Sequence, residues 1–240
     1  MNLRCRRMCC VALVVLSGCA TVQTPDARDP WESMNRSVFS FNDKLDRFVL
    51  KPVATAYRDV VPSFARKGVH NFFGNLSDVW SAVNNALAGR GQETGDSISR
   101  VVVNSTVGVL GLFDVATDLK IARHRADFGT TLGRWGVKPG PYVVLPLLGP
   151  ATLREVAALP VDYRASLTNQ FTEAATRDTL TVLNVVDTRA TYLGASDAVE
   201  GAALDGYSFM RDVYLQRQRY LQYDGNPPDE EPPADDEARP

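Results

Sequence analysis

The apolar residues of this chain fall on helical stripes. Trp31, Met34, Val38, Phe41, Leu45 and Phe48 follow one another at steps of 3, 4, 3, 4 and 3, which is one face of a helix. Asp29-Pro30-Trp31-Glu32 predicts its start. Asp29 can accept from free N–H groups, Pro30 suits the first helical position, and Glu32 can close a capping box. Pro52 predicts its end. Short helices are expected at 53–59 and 63–73. Leu76, Val79, Trp80, Val83 and Leu87 mark a further helix over 76–88, closed by Gly89 and Gly91. Val83 lies on its stripe, and Asn84, about 100° around, on the polar side. Thr94 or Asp96 can cap the next helix, which carries Ile98, Val101, Val102 and Val109. Leu183, Val186, Ala190 and Leu193 form a stripe ended by Gly194. Residues 204–223 form the last helix, with Leu204, Tyr207, Met210, Tyr214 and Leu221 on one side. The pattern predicts a mainly α fold.

Two stretches break the rhythm, since 101–113 and 139–153 hold no charge. Pro139, Pro141, Pro146 and Pro150, with Gly140 and Gly149, exclude a continuous helix from the second. Tyr142-Val143-Val144-Leu145 reads instead as a short extended loop or small hairpin. A buried core loop and a segment facing lipid or a protein partner both fit it. Gly136 and Gly149 could serve as the flexible ends of a lid. In the last helix Arg211, Arg217 and Arg219 lie among Tyr214, Tyr220 and Tyr223. Such a mixture suits a membrane–water interface, which makes Arg211, Tyr214, Arg217 and Tyr220 candidate interfacial anchors. A solvated helix edge would look the same.

The first residues set the compartment. Arg4, Arg6 and Arg7 precede the apolar run Cys9–Leu16, in the order of a secretory leader. Leu16-Ser17-Gly18-Cys19 resembles the bacterial lipobox, in which the cysteine is lipidated and becomes the first mature residue. The other cysteines, Cys5, Cys9 and Cys10, lie in the removed segment, so the mature chain is expected to carry no free thiol and no disulfide. Ala20, where aspartate usually signals inner-membrane retention, favours the outer membrane. The expected organisation is a lipoprotein signal peptide at 1–18, a lipidated tether at 19–28, a helical domain at 29–223, and a disordered, acidic, proline-rich tail at 224–240. Cleavage removes three arginines and moves the net charge from −2 to −5, which gives no general attraction to nucleic acid. The chain lacks G-x-S-x-G, H-E-x-x-H, Walker and C-x-x-C motifs, and its two histidines, His70 and His124, stand apart from any cysteine. No catalytic residue, metal ligand or cofactor is expected.

Longer segments carry a resemblance: Asp29-Pro30-Trp31-Glu32-Ser33-Met34-Asn35-Arg36, Phe41-Asn42, Lys51 to Pro62, and Asn71-Phe72-Phe73-Gly74-Asn75-Leu76. They continue with Asn104 to Gly108, Asp114-Val115-Ala116, Phe128 to Gly133, Gly136, Gly140-Pro141-Tyr142 and Leu145-Pro146. Asp205, Tyr207, Arg211, Tyr214, Gln216 and Arg217 close the set. In these the chain resembles the MlaA, or VacJ, family of outer-membrane phospholipid-trafficking lipoproteins, over 29–223 and least over roughly 155–200. The resemblance implies a ring-like arrangement of amphipathic helices in the periplasmic leaflet of the outer membrane, around a central channel. It implies association with a trimeric outer-membrane porin and removal of phospholipids misplaced in the outer leaflet. It also implies their delivery to the periplasmic lipid-binding protein MlaC, which maintains lipid asymmetry. On that reading Gly136, Pro139, Gly140, Pro141, Tyr142 and Gly149 border the channel. The alternatives are a porin-associated scaffolding lipoprotein that moves no lipid, and an envelope hydrolase.

Overall fold

The computed structural model describes residues 26–202, 205–223 and 225–228. The expected signal peptide, Cys19, most of the tether and most of the acidic tail lie outside the described residues.

Helix α1 (Glu32–Leu45) passes through a π-turn at Asp46–Leu50 into α2 (Lys51–Val60), so Pro52 does not stop it. The Lys51 N–H bonds five residues back, to Asp46. The proline then falls in the first turn of α2, where a missing N–H costs nothing. The expected capping box is also absent. No side chain caps α1, and Asp29 is fully buried in other bonds.

Helix α3 (Ser63–Leu87) is one element of 25 residues where the sequence suggested two. Gly74 lies inside it because Arg123 packs there, and a Cβ would come within 3.0 Å of the guanidinium. Helix α4 (Gly91–Thr106) starts before Thr94, with Arg90 at its N-cap. Val109, expected on that helix, is beyond it. Val109 and Leu110 have φ of 51° and 56°, and Gly111 of 86°, which turns the chain back so that the Gly111 N–H reaches the Asn104 carbonyl at 2.8 Å. Asp114 caps α5 (Val115–Asp118) and Asp127 caps α6 (Phe128–Arg134).

The Gly/Pro segment forms a hairpin. Strands β1 (Tyr142–Leu145) and β2 (Gly149–Thr152) pair antiparallel, Tyr142 opposite Thr152 and Leu145 opposite Gly149. A capping box of Thr152 and Glu155 opens α7 (Leu153–Ala165), and a 3-10 turn follows at Leu167–Gln170. Helix α8 (Ala174–Ala202) runs past Gly194, its expected end. Its next turn is held by an ion pair from Asp197 to Lys51 at 2.9 Å. Asp205 caps α9 (Gly206–Gln222).

Contacts between elements close a circuit. α1 packs on β1, β2 on α7, α7 on α6, α6 on α3, α3 on α8, and α8 on α2, which returns through the π-turn to α1. α4 lines the flank of α3, and α9 packs on α6 and β2. The architecture is mainly α, as expected. No described helix is long and apolar enough to cross a membrane.

Candidate functional site

The buried positions of this fold are more often polar than apolar. Among the described residues, 15 polar or charged residues are buried against 12 apolar ones, while 37 large apolar side chains are exposed. A protein folded in water distributes these the other way, with charged residues almost never fully buried. Its two apolar clusters are small, Ala54, Ala190 and Leu193 in one, Tyr142, Val144 and Tyr207 in the other.

One polar centre lies between α3, α4 and the segment after α5. Arg100, 1% exposed, donates to both Asp114 oxygens at 2.7 and 2.9 Å, to the Ile121 carbonyl at 2.6 Å, and to Asp78 at 3.4 Å. Arg123 donates to Asp78 at 3.1 Å. Burial pushes the Asp78 carboxyl above the usual range, against the pull of Arg123 and Arg100. Burial acts on Asp114 too, but hydrogen bonds from Thr117 and Asn104 and the two arginines outweigh it, and its carboxyl lies below the usual range. Asn84 is fully buried and accepts from Thr131 Oγ1 at 2.8 Å. The sequence put Val83 on an apolar stripe that fits core or lipid and Asn84 on the polar side. The structure turns that polar side inward and leaves Val83 42% exposed.

A second centre joins the two ends of the domain. Asp29 accepts from Asn35 Nδ2 at 2.7 Å and from the Tyr207 hydroxyl. Arg211, expected as an interfacial anchor, is only 11% exposed and turns inward to Asp29 and Asp26, each at 3.5 Å. Tyr214 is likewise interior. Its hydroxyl donates to Glu155, and its ring meets Tyr142 edge-on at 6.0 Å. Four carboxylates, Asp26, Asp29, Glu32 and Asp212, lie within ion-pair reach of Arg211, which explains why it leaves the surface. The other two candidate anchors, Arg217 and Tyr220, are exposed.

The hairpin is fixed to α1 by two asparagines one heptad apart. Asn35 donates to the Tyr142 carbonyl at 3.1 Å and accepts from the Val144 N–H at 2.9 Å. Asn42 does the same for Leu145 and Leu147, at 2.9 Å each. The Asn35 amide thus satisfies one donor and one acceptor on the free edge of β1, as a neighbouring strand would, and Asn42 does so for the end of β1 and the turn that follows it. Tyr142 is fully buried, whereas Gly136, Pro139 and Gly140 are exposed and Pro141 and Gly149 are half-buried. Gly136, Gly140 and Gly149 all have positive φ, which glycine adopts without strain. At the tip, Leu147 and Leu148 are 70% and 69% exposed.

The sequence reading missed the polar centre of Asn75, Asp78, Asn84, Asn85 and Arg100. A signal was present. The polar face of α3 over 74–87 is built of amides, two serines and one aspartate, with no lysine or glutamate. Solvated faces favour the latter, and amides are less costly to bury.

A sequence model of a family described as MlaA lipoprotein matches residues 27–221. The chain is similar to the intermembrane phospholipid transport system lipoprotein MlaA of Escherichia coli, 36% identical, with 92% of this chain and 90% of that one covered. The protein of the same name from Haemophilus influenzae is 29% identical over 90% of this chain and 89% of that one. A solved structure, from work on the structural basis for maintenance of bacterial outer membrane lipid asymmetry, superposes with a TM-score of 0.71 at 37% identity. It covers 81% of this chain and 98% of that chain. By sequence and by fold alike, the chain belongs to the MlaA lipoprotein family.

Proposed function

We propose that this protein is a lipoprotein of the outer membrane that takes phospholipid from the outer leaflet and passes it through the ring of helices to a periplasmic lipid-binding protein of the MlaC kind. Its action keeps the membrane asymmetric. The observation that carries this reading, beside the family, is the reversal of inside and outside. Apolar side chains face outward around a polar interior. Lipid covers such an exterior without the cost that water would impose. Between α3 and α4 the outer face forms an apolar groove of about 350 Å³, lined by residues such as Val79, Val83, Ile98 and Val102. On this reading the ring lies in the periplasmic leaflet with Cys19 as its lipid anchor, which agrees with described helices none of which is long and apolar enough to cross a membrane.

The task requires shielding rather than chemistry. A diacyl lipid exposes about 30 methylenes to water at ~0.8 kcal/mol each, on the order of 25 kcal/mol. A conduit needs an apolar setting for the chains and polar groups for the head, and no bond is made or broken. The hairpin borders the passage. β1 is pinned by Asn35 and Asn42, so any gating motion belongs to the exposed segments on either side of it. A trimeric porin gives the ring a fixed seat across from the outer leaflet. Arg217 and Tyr220 serve as interfacial anchors.

Purification in mild detergent, with mass spectrometry of what co-purifies, tests the reading. Phospholipid and porin are both expected. Porin without lipid would favour a scaffold.

A further inference from the structure

The seam between α3 and α8, closed by the 3-10 turn, holds a cavity of about 180 Å³. Phe73, Trp80 and Leu167 give it apolar walls, and Ser77, Ser166, Thr168 and Asn184 add hydroxyls and one amide. None of the lining residues carries a formal charge, in contrast to both ion-paired centres. That decides what the cavity can recognise. Phosphate and ammonium groups take their strongest bonds from charged side chains. Ester carbonyls are matched by neutral donors, and donors remain. The Ser166 and Thr168 hydroxyls, 2.8 Å apart, share one hydrogen bond and so use one of their two protons. Asn184 accepts from Thr188 through its carbonyl oxygen at 3.5 Å, which keeps its amide hydrogens for a ligand. The volume is too small for a two-chain lipid, since at ~30 Å³ per molecule it equals about six waters. It suits a compact segment of mixed polarity.

We propose that this cavity is a subsite for the glycerol–ester segment of a diacyl phospholipid. One ester carbonyl accepts from whichever hydroxyl of Ser166 and Thr168 keeps its proton free and the other from the Asn184 amide, the first methylenes lie on Phe73 and Trp80, and the charged head group stays outside. The inference rests on the lipid-transport reading and deepens it. Recognition falls on the part common to all diacyl phospholipids, so head groups are tolerated and ester linkages are selected.

The test uses the full-length lipoprotein in nanodiscs of phosphatidylethanolamine and phosphatidylglycerol. The probe is a phosphatidylcholine with a photoreactive diazirine beside one ester. Labelling is expected within 73–80 and 166–184. Diester competitors should suppress it whatever their head group, and a diether analogue about tenfold less well, the size of one or two lost hydrogen bonds. Ser77→Trp, at an exposed position, should fill the cavity and abolish the labelling. Asn184→Leu, which keeps the volume, should reduce it about tenfold for the same reason. Equal competition by ester and ether lipids overturns the proposal, as does labelling confined to other segments, which leaves lipid transport standing. No labelling and no co-purifying phospholipid overturns both.

Discussion

Tyr142 and Tyr207 meet edge to face with ring centroids 6.3 Å apart, yet their hydroxyls differ. That of Tyr207 donates to the fully buried Asp29, and that of Tyr142 is buried with no hydrogen-bond partner. An unsatisfied buried donor is a cost of ~1–3 kcal/mol, and a bond to a carboxylate contributes about 1.5–3 kcal/mol. Tyr207→Phe is therefore expected to destabilise by about 2 kcal/mol. Tyr142→Phe should be neutral or stabilising in the same denaturant titration, and equal losses would contradict the assignment. Alkali should act on the same residues. Burial pushes the Tyr142 and Tyr57 hydroxyls up to about 12, and raises Tyr207 and Tyr214 further, where Asp29 and Glu155 add to it. The unfolded chain loses these protons near pH 10 and the folded chain later. Their stabilisation is thus full below pH 10 and falls as pH rises through 10 to 12. Tyrosinate absorbance in the folded protein should lag behind that of free tyrosine. Unfolding should grow easier over the same window, and a flat stability profile there would refute the buried cluster.

At the scale of elements, the hairpin and its clamps give a sharper test. Asn42→Ala removes the acceptor of the Leu147 N–H and leaves that of Val144, which is Asn35. Amide exchange should accelerate at Leu147 and stay slow at Val144, whereas acceleration at both would mean that the strand is held as one unit. Helix α3 gives another. Val83→Asp places a carboxylate on the outer face, where lipid would make it cost up to ~2.5–3.5 kcal/mol, the figure for the bilayer centre. It should weaken membrane association and leave the melting temperature in detergent nearly unchanged. Asn84→Asp removes the amide donor to the Trp80 carbonyl and buries a charge, and should lower that temperature sharply. The opposite pattern would restore the usual inside-out order. The stripes along 31–48, 76–88 and 204–223 made these helices legible from sequence alone. Which way they face was not legible, since periodicity is the same whether an apolar stripe meets core or lipid. Proline and glycine announced the hairpin, but its clamps join residues 107 and 103 positions apart, which no local pattern records. Pro52 misled because a π-turn, which has no residue signature here, absorbed it. Arg211 misled because its carboxylate partners come partly from the other end of the domain.

Across the whole molecule, a closed circuit of elements, buried polar groups and an apolar exterior are what the proposed seat in lipid requires. The buried charges need that arrangement. Removal of one partner, as in Arg100→Met, leaves Asp78 and Asp114 to the less buried Arg123 and should cost about 3–5 kcal/mol. It would test the interior without touching the lipid face. The central claim, that the ring drains phospholipid from the outer leaflet, is tested most directly in intact cells. Outer-leaflet phospholipid is measured with an enzyme that acts only on exposed lipid, in cells with the protein, without it, and with it restored. The account predicts that exposed phospholipid rises when the protein is absent and returns to its former level when the protein is restored. An unchanged level in cells that lack the protein would contradict it.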